Sequence, residues 1–386
     1  MNGVRHLYVH LPFCARRCGY CDFVTAVGRR AEHGRYVDAL LTELALEAPA
    51  LASRVETIFL GGGTPTFTEP AALERLLAAL PDADEVTVEA NPETVTPELA
   101  RLLRRNRVNR VSIGAQSFNT ALLDVLERGA RPADVLRSVQ VLRDAGFDNL
   151  SLDLIYGIPG QSPADLERDL AEALALEPEH LSAYELEAKP GTRFTHAHGA
   201  ELDSQAESME SYFELVVETL TSAGYRWYET ANFCRTGERA GRGAAGGAGG
   251  ATGGGPGPRD LRSRHNLGYW LGHDYLGLGV GAVSTIERRR WRNAPSIRGY
   301  TVALAVGRRP PREWERLSRN ARETERLMLG LRLDEPLDLG DVAGAVDLGE
   351  LRRLQRLGLA DRRGDGLVLT ARGRFVGDAA TAALLV

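Results

Sequence analysis

Cysteine is scarce in this 386-residue chain, and three of the four, Cys14, Cys18 and Cys21, fall in one short run. A secreted cystine-stapled scaffold needs more cysteines, spread more widely, so that class is excluded and a reducing cytoplasm is expected. Lysine is rarer still: Lys189 is the only one, and arginine carries the basic charge. The net charge of -5 leaves no bulk positive field, so nucleic acid is not an expected partner. No run approaches the ~18 apolar residues of a membrane span. The apolar stretch ahead of Cys14 is also too short for a secretory signal. The length is sufficient for one large α/β domain and a smaller one.

Short apolar runs at 6–11, 57–60, 86–89, 110–113, 149–154 and 181–186 alternate with helical patterns at 36–46, 97–105, 134–145, 163–176 and 207–223. In the first helical segment Val37, Leu40, Leu41 and Leu44 share a face. This rhythm predicts parallel βαβ units. Six of them make a partial (β/α)6-type barrel or a doubly wound sheet, which pattern alone does not separate. Either arrangement gathers ligands at the C-terminal ends of the strands. Residues 240–258, AGRGAAGGAGGATGGGPGP, are low in complexity and read as a flexible surface loop. They divide the chain into a core (1–233), an insertion (234–262) and a C-terminal part (263–386). In that last part 274–285 reads as a glycine-rich strand and turn, 320–331 and 348–357 as helices, and 367–370 as a strand. The ending has the helix and β-ribbon rhythm of a winged helix, without the basic enrichment of a nucleic-acid reader, so a small α+β packing module is expected.

Thiolates at the C-x3-C-x2-C spacing of Cys14, Cys18 and Cys21 suit zinc or an iron–sulfur cluster. Zinc would want a fourth ligand, His10 or the distant Cys234. Three ligands on a four-iron cluster leave one iron open. Some forty residues on, FLGGGTPT ends a strand in glycines, which let the backbone approach a ligand that a Cβ would exclude. Glu89, Gln116, Arg128 and Asp153 lie at or just past apolar segments, at successive ends of the βαβ units. Together they suit one shared ligand, since the acids accept from hydroxyl or ammonium groups and Arg128 pairs with a carboxylate. His10 shares a strand face with Tyr8. Far downstream, His265-Asn266-Leu267-Gly268-Tyr269-Trp270 sets one histidine beside two aromatic residues; taken alone, such a histidine reads as packed or capped rather than as a metal ligand.

The strings YVHLPFC, CGYCDF, GGGTPT, EANPE, RVSIGAQSF, DLIYGIPGQ and LSAYELEAKPGT resemble the oxygen-independent coproporphyrinogen III oxidase family of radical S-adenosylmethionine (SAM) proteins. The resemblance implies a 4Fe-4S cluster on Cys14, Cys18 and Cys21, with SAM on the open iron. It puts Tyr8, Gly62, Gly63, Thr64, Glu89, Gln116, Arg128 and Asp153 on SAM-binding positions, with a backbone contact from Tyr20. Within the family, Phe23 stands where the oxidase branch has a fourth cysteine, and Cys14 leaves no room for that branch's long leading segment. The pattern is similar to the heme chaperone branch, in which the H-N-x-x-Y-W string is associated with heme. That implies heme at His265, acceptor hemoproteins and a reductant as partners, and a homodimer. The alternatives are the oxidase itself, which decarboxylates coproporphyrinogen III, and a radical SAM enzyme acting on another tetrapyrrole. Ala130 and Val283 depart from histidines that relatives often carry.

Overall fold

A two-residue alternation organises the large sheet of the computed structural model, which describes residues 3–189, 193–236 and 259–386. The glycine-rich run at 240–258 lies outside the described residues. In β1 (His6–Leu11), Leu7, Val9 and Leu11 are buried with helix residues such as Val37 and Leu40, while His6, Tyr8 and His10 project to the opposite face. The period repeats in β2 (Val55–Gly62), β3 (Ala83–Ala90), β4 (Arg110–Gln116), β5 (Leu150–Tyr156) and β6 (His180–Glu185). Ile58, Val88, Ile113, Leu152 and Leu181 join the apolar layer. Thr57, Glu89, Ser112, Asp153 and His180 occupy the inner, polar face. An interior this polar serves a ligand better than it serves a core.

The six strands pair in parallel in chain order, β1 to β6. A doubly wound sheet would reverse its order at a switch point, so the unreversed order makes this a partial barrel. The intervening helices are α1 (His33–Glu47), α2 (Pro70–Ala79), α3 (Pro97–Arg105), α4 (Pro132–Asp144) and α5 (Pro163–Ala175). The last four open on proline, whose missing N–H costs nothing in a first helical turn. Glu69, Thr96 and Ser162 cap α2, α3 and α5 by accepting from backbone N–H groups.

Further strands, all but one of them antiparallel to their neighbours, extend the sheet at both edges. Helix α6 (Met209–Ser222) leads into β7 (Tyr225–Glu229) and β8 (Asn232–Arg235), and β8 pairs with β6. After α7 (Arg264–Trp270), β9 (Tyr275–Leu278) runs parallel to β1. It continues through β10 (Val283–Ile286), β11 (Arg289–Asn293) and β12 (Arg312–Arg316). Residues 264–316, grouped by the sequence with the C-terminal part, thus lie against or within the large sheet. A second apolar cluster, with Leu327, Leu337, Leu354 and Leu367, marks the small module. It holds α8 (Arg319–Gly330), β13 (Leu337–Asp338), α9 (Leu348–Arg356), the β14 (Ala360–Arg363) and β15 (Gly366–Leu369) hairpin, α10 (Ala371–Phe375) and α11 (Gly377–Leu384). Its helix, strand, helix and hairpin follow one another as in a winged helix. No helix among the described residues is long and apolar enough to cross a membrane.

Candidate cluster and cofactor site

Past the C-terminal ends of the barrel strands the chain opens into a cavity of about 460 Å³, and Cys14, Cys18 and Cys21 all line it. Phe13–Cys14 pairs in parallel with Ala26–Val27, which closes the segment between them into a loop carrying the other two cysteines. The Cys21 N–H donates to the Cys18 carbonyl at 3.3 Å, and Arg17 donates to the Cys21 carbonyl at 3.1 Å. The Thr64 hydroxyl reaches the Cys14 sulfur, and Arg128 the Cys18 sulfur, each at 3.5 Å. Burial pushes the Cys14 and Cys21 thiols up, and the neighbouring sulfurs add to the effect. Thiolates here therefore call for a positive centre among them. Among the described residues no group of His, Cys, Asp and Glu closes on a single ion position. An iron–sulfur cube takes each thiolate on a separate iron, so three separated thiols at one mouth fit it better than one zinc ion. The other zinc ligands are engaged elsewhere. The His10 ring is held by the Tyr8 hydroxyl at 3.1 Å and the Val24 carbonyl at 2.8 Å. Cys234 is buried beside Tyr228 and Leu261, and burial pushes its thiol up to about 12.

The remaining wall is built from strand ends. Gly62 has φ 107°, and a Cβ on it would run into the His10 ring; a Cβ on Gly63 would meet the Pro12 carbonyl carbon at 2.6 Å. Only glycine lets β2 end this close to β1. The Gly62 N–H donates to Glu89 at 3.2 Å. Burial, and then the nearby Asp153, push the Glu89 carboxyl up to about 8. Asp153 is likewise raised by burial although the Ser112 hydroxyl donates to it at 2.9 Å. Arg128 donates to the Gly114 carbonyl at 2.7 Å and to Asn91 at 3.0 Å, while its buried Nε has no partner. Asn91 also donates to the Thr64 hydroxyl at 3.2 Å. Gln116 sits at φ 65°, where the register between β4 and β5 slips. That break re-aims its amide into the cavity, across Gly114, whose Cβ would lie 2.7 Å from the Gln116 Nε2. Tyr20 lines the cavity too, and burial raises its phenol. A spare guanidinium nitrogen, a proton-holding carboxyl and bare glycine backbone fit a ligand with both a carboxylate and an ammonium group.

The cavity thus gathers the cysteines, Tyr20, Gly62, Gly63, Thr64, Glu89, Gln116, Arg128 and Asp153. Sequence reasoning missed Asn91 and Ser112; their signal is spacing, two residues from Glu89 and from Gly114. Tyr8 lies deeper in the barrel, stacked on Phe59 with ring centres 6.3 Å apart. His265 is at the far end of the strands. Its Nδ1 bonds to the Thr57 hydroxyl at 2.8 Å and its Nε2 to the Tyr269 hydroxyl at 3.0 Å. It is 1 % exposed, and burial depresses its pKa to about 3, so the ring is neutral. Neither ring nitrogen is free for iron in this conformation.

Residues 8–173 match the radical SAM superfamily, and residues 317–376 match the HemN C-terminal domain. The chain is 36 % identical to heme chaperone HemW of Mycobacterium tuberculosis, over 98 % of this chain and 94 % of the relative. It is 30 % identical to heme chaperone HemW of Bacillus subtilis, over 99 % of both. Among solved structures it is similar to coproporphyrinogen III oxidase (HemN) from Escherichia coli, with a TM-score of 0.78 and 24 % identity, over 99 % of this chain and 90 % of that one.

Proposed function

The chain belongs to the HemW family of heme chaperones, and from that membership we propose that it binds heme and passes it to apo-hemoproteins, with a SAM-ligated 4Fe-4S cluster beside it. The observation that carries this reading over the oxidase is position 23. The cluster loop keeps its three cysteines, but a 62 % exposed phenylalanine stands where the oxidase branch has its fourth. Cys14, Cys18 and Cys21 would hold the cluster, which when bound supplies an open iron for the amino and carboxylate groups of SAM and a route for one electron. The protein's own side chains do the rest. Arg128, whose buried Nε has no partner, would pair with the carboxylate. Glu89, steadied by the Gly62 N–H, gives up its proton to accept from an ammonium or ribose hydroxyl. Thr64 and Asn91 keep Cys14 and Arg128 in one frame.

The test is anaerobic reconstitution of the cluster, heme titration, and transfer to apomyoglobin, with coproporphyrinogen turnover assayed on the same sample. One heme bound per chain and its delivery to the acceptor are expected, with no protoporphyrinogen formed. Failure to take up heme, or turnover of coproporphyrinogen under reducing conditions, would overturn the proposal.

A further inference from the structure

We infer that heme docks in a second cleft, between α6 and the C-terminal module, where Arg374 takes a propionate and Met328 offers its thioether to the iron; this deepens the heme reading above and rests on it. The cleft encloses about 760 Å³, within the range of cofactor sites. The chain has three methionines, and both internal ones, Met209 and Met328, line this cleft. Met209 packs over Gly157. Met328, by contrast, is 48 % exposed on α8, which leaves its soft sulfur available. Trp270 closes one wall, and Phe213 and Phe375, in edge contact at 5.5 Å, form another. Trp270 stands at the end of α7, so this helix presents its tryptophan to the cleft while its His265 turns into the barrel.

Charge decides the occupant. Arg374 is only 9 % exposed, yet its Nε and Nη2 have no partner. Its Nη1 donates to the Trp227 carbonyl at 2.7 Å, and the guanidinium lies 3.6 Å over the Trp227 ring. The acids near it are committed elsewhere: Glu229 to Arg332 at 2.6 Å and Asp334 to Arg226 at 2.8 Å. A buried cation without its own counter-charge is costly, and burial draws its pKa down to about 10. An incoming carboxylate removes that cost. The cleft's carboxylates, Glu185, Glu210 and Asp378, lie at its exposed rim, and burial, then Glu187 and Asp378, raise the Glu185 carboxyl, which weakens its charge toward an anion. A flat apolar ligand with anionic arms at one edge matches this: arms inward to Arg374, macrocycle against Trp270 and the phenylalanines. Glu185 lines both this cleft and the cluster cavity, so the two sites adjoin.

The experiment is heme titration of the full-length, cluster-loaded protein and its Arg374→Gln, Met328→Leu and His265→Gln variants, followed by the Soret and visible bands. Arg374→Gln should weaken heme binding at least tenfold. Heme dimethyl ester, which lacks the propionate charges, should bind it and the parent alike, which separates lost pairing from lost folding. Met328→Leu, at an exposed site, should keep the fold and change the heme's ligand-field bands. His265→Gln should keep both affinity and spectrum. Parent-like affinity and spectrum in the first two variants, with heme lost only in the third, would overturn the cleft and leave the chaperone reading standing. A parent protein that takes up no heme would overturn both.

Discussion

Glu89 stands between two opposing demands. Burial in the barrel, and then Asp153, favour its protonated form, while the Gly62 N–H favours the carboxylate. With the carboxyl at about 8, it is largely neutral at pH 7 before a cationic ligand arrives. An ammonium group placed against it favours ionisation, so ligand binding at pH 7 should release about one proton. The release should vanish above pH ~9, where the group has already ionised. Calorimetry of SAM binding in two buffers of different ionisation enthalpy measures this directly. Glu89→Gln should abolish the buffer dependence and weaken binding about tenfold, the worth of one charged hydrogen bond. Equal heats in both buffers for the parent would remove Glu89 from the ammonium site.

Helix α1 shows what holds the barrel to its edge extension. Glu43 is fully buried on that helix. It accepts from the Tyr300 hydroxyl at 2.6 Å, the Gly279 N–H at 2.8 Å, the Asn293 amide at 2.8 Å and Arg312 at 3.2 Å. Glu43→Ala leaves Arg312 without this acceptor and the Tyr300 hydroxyl and Gly279 N–H unmet, while Asn293 keeps only its bond to the Gly279 carbonyl, so it should cost roughly 3–5 kcal/mol in denaturant unfolding. A loss under 1 kcal/mol would mean that the network is replaceable by water. The pattern of Val37, Leu40, Leu41 and Leu44 made α1 legible, and apolar alternation did the same for β1 to β6. Strands β11 and β12 were not legible. RRWRN and REWER are arginine- and glutamate-rich because one face is wet, and their pairing rests on Trp291 against Trp314 at 5.0 Å. The site divides the same way. Strand-end residues could be read from motif and resemblance, but the break that turns Gln116 inward is a register effect with no local signature. His265 and Tyr269, four apart on a helix, had to adjoin; which side of α7 faces the barrel depends on where Glu85 and Thr57 receive it.

Viewed end to end, the barrel has a thiol mouth at one pole and a plug of neutral histidines at the other. From the exposed His273 a hydrogen-bonded line runs through His6, Thr57 and His265 to Tyr269. Burial depresses His6 to about 4 and His265 to about 3, against about 6.5 in an unfolded chain. Below pH 6.5 the unfolded chain therefore binds protons that the native chain refuses, and stability must fall as pH drops toward 3. At pH 5 the His265 contribution alone is a loss of about 2 kcal/mol relative to pH 7.5. Urea unfolding of the metal-free protein at both pH values, so that acid release of a cluster plays no part, measures the total. His265→Gln keeps a donor and an acceptor for Thr57 and Tyr269 but does not titrate, so its loss between the two pH values should be smaller by that amount. If parent and variant lose stability equally, the histidine plug is not what makes this end of the barrel sensitive to acid. The ring would then titrate alike in the folded and unfolded chains, which requires water to reach it in the native state.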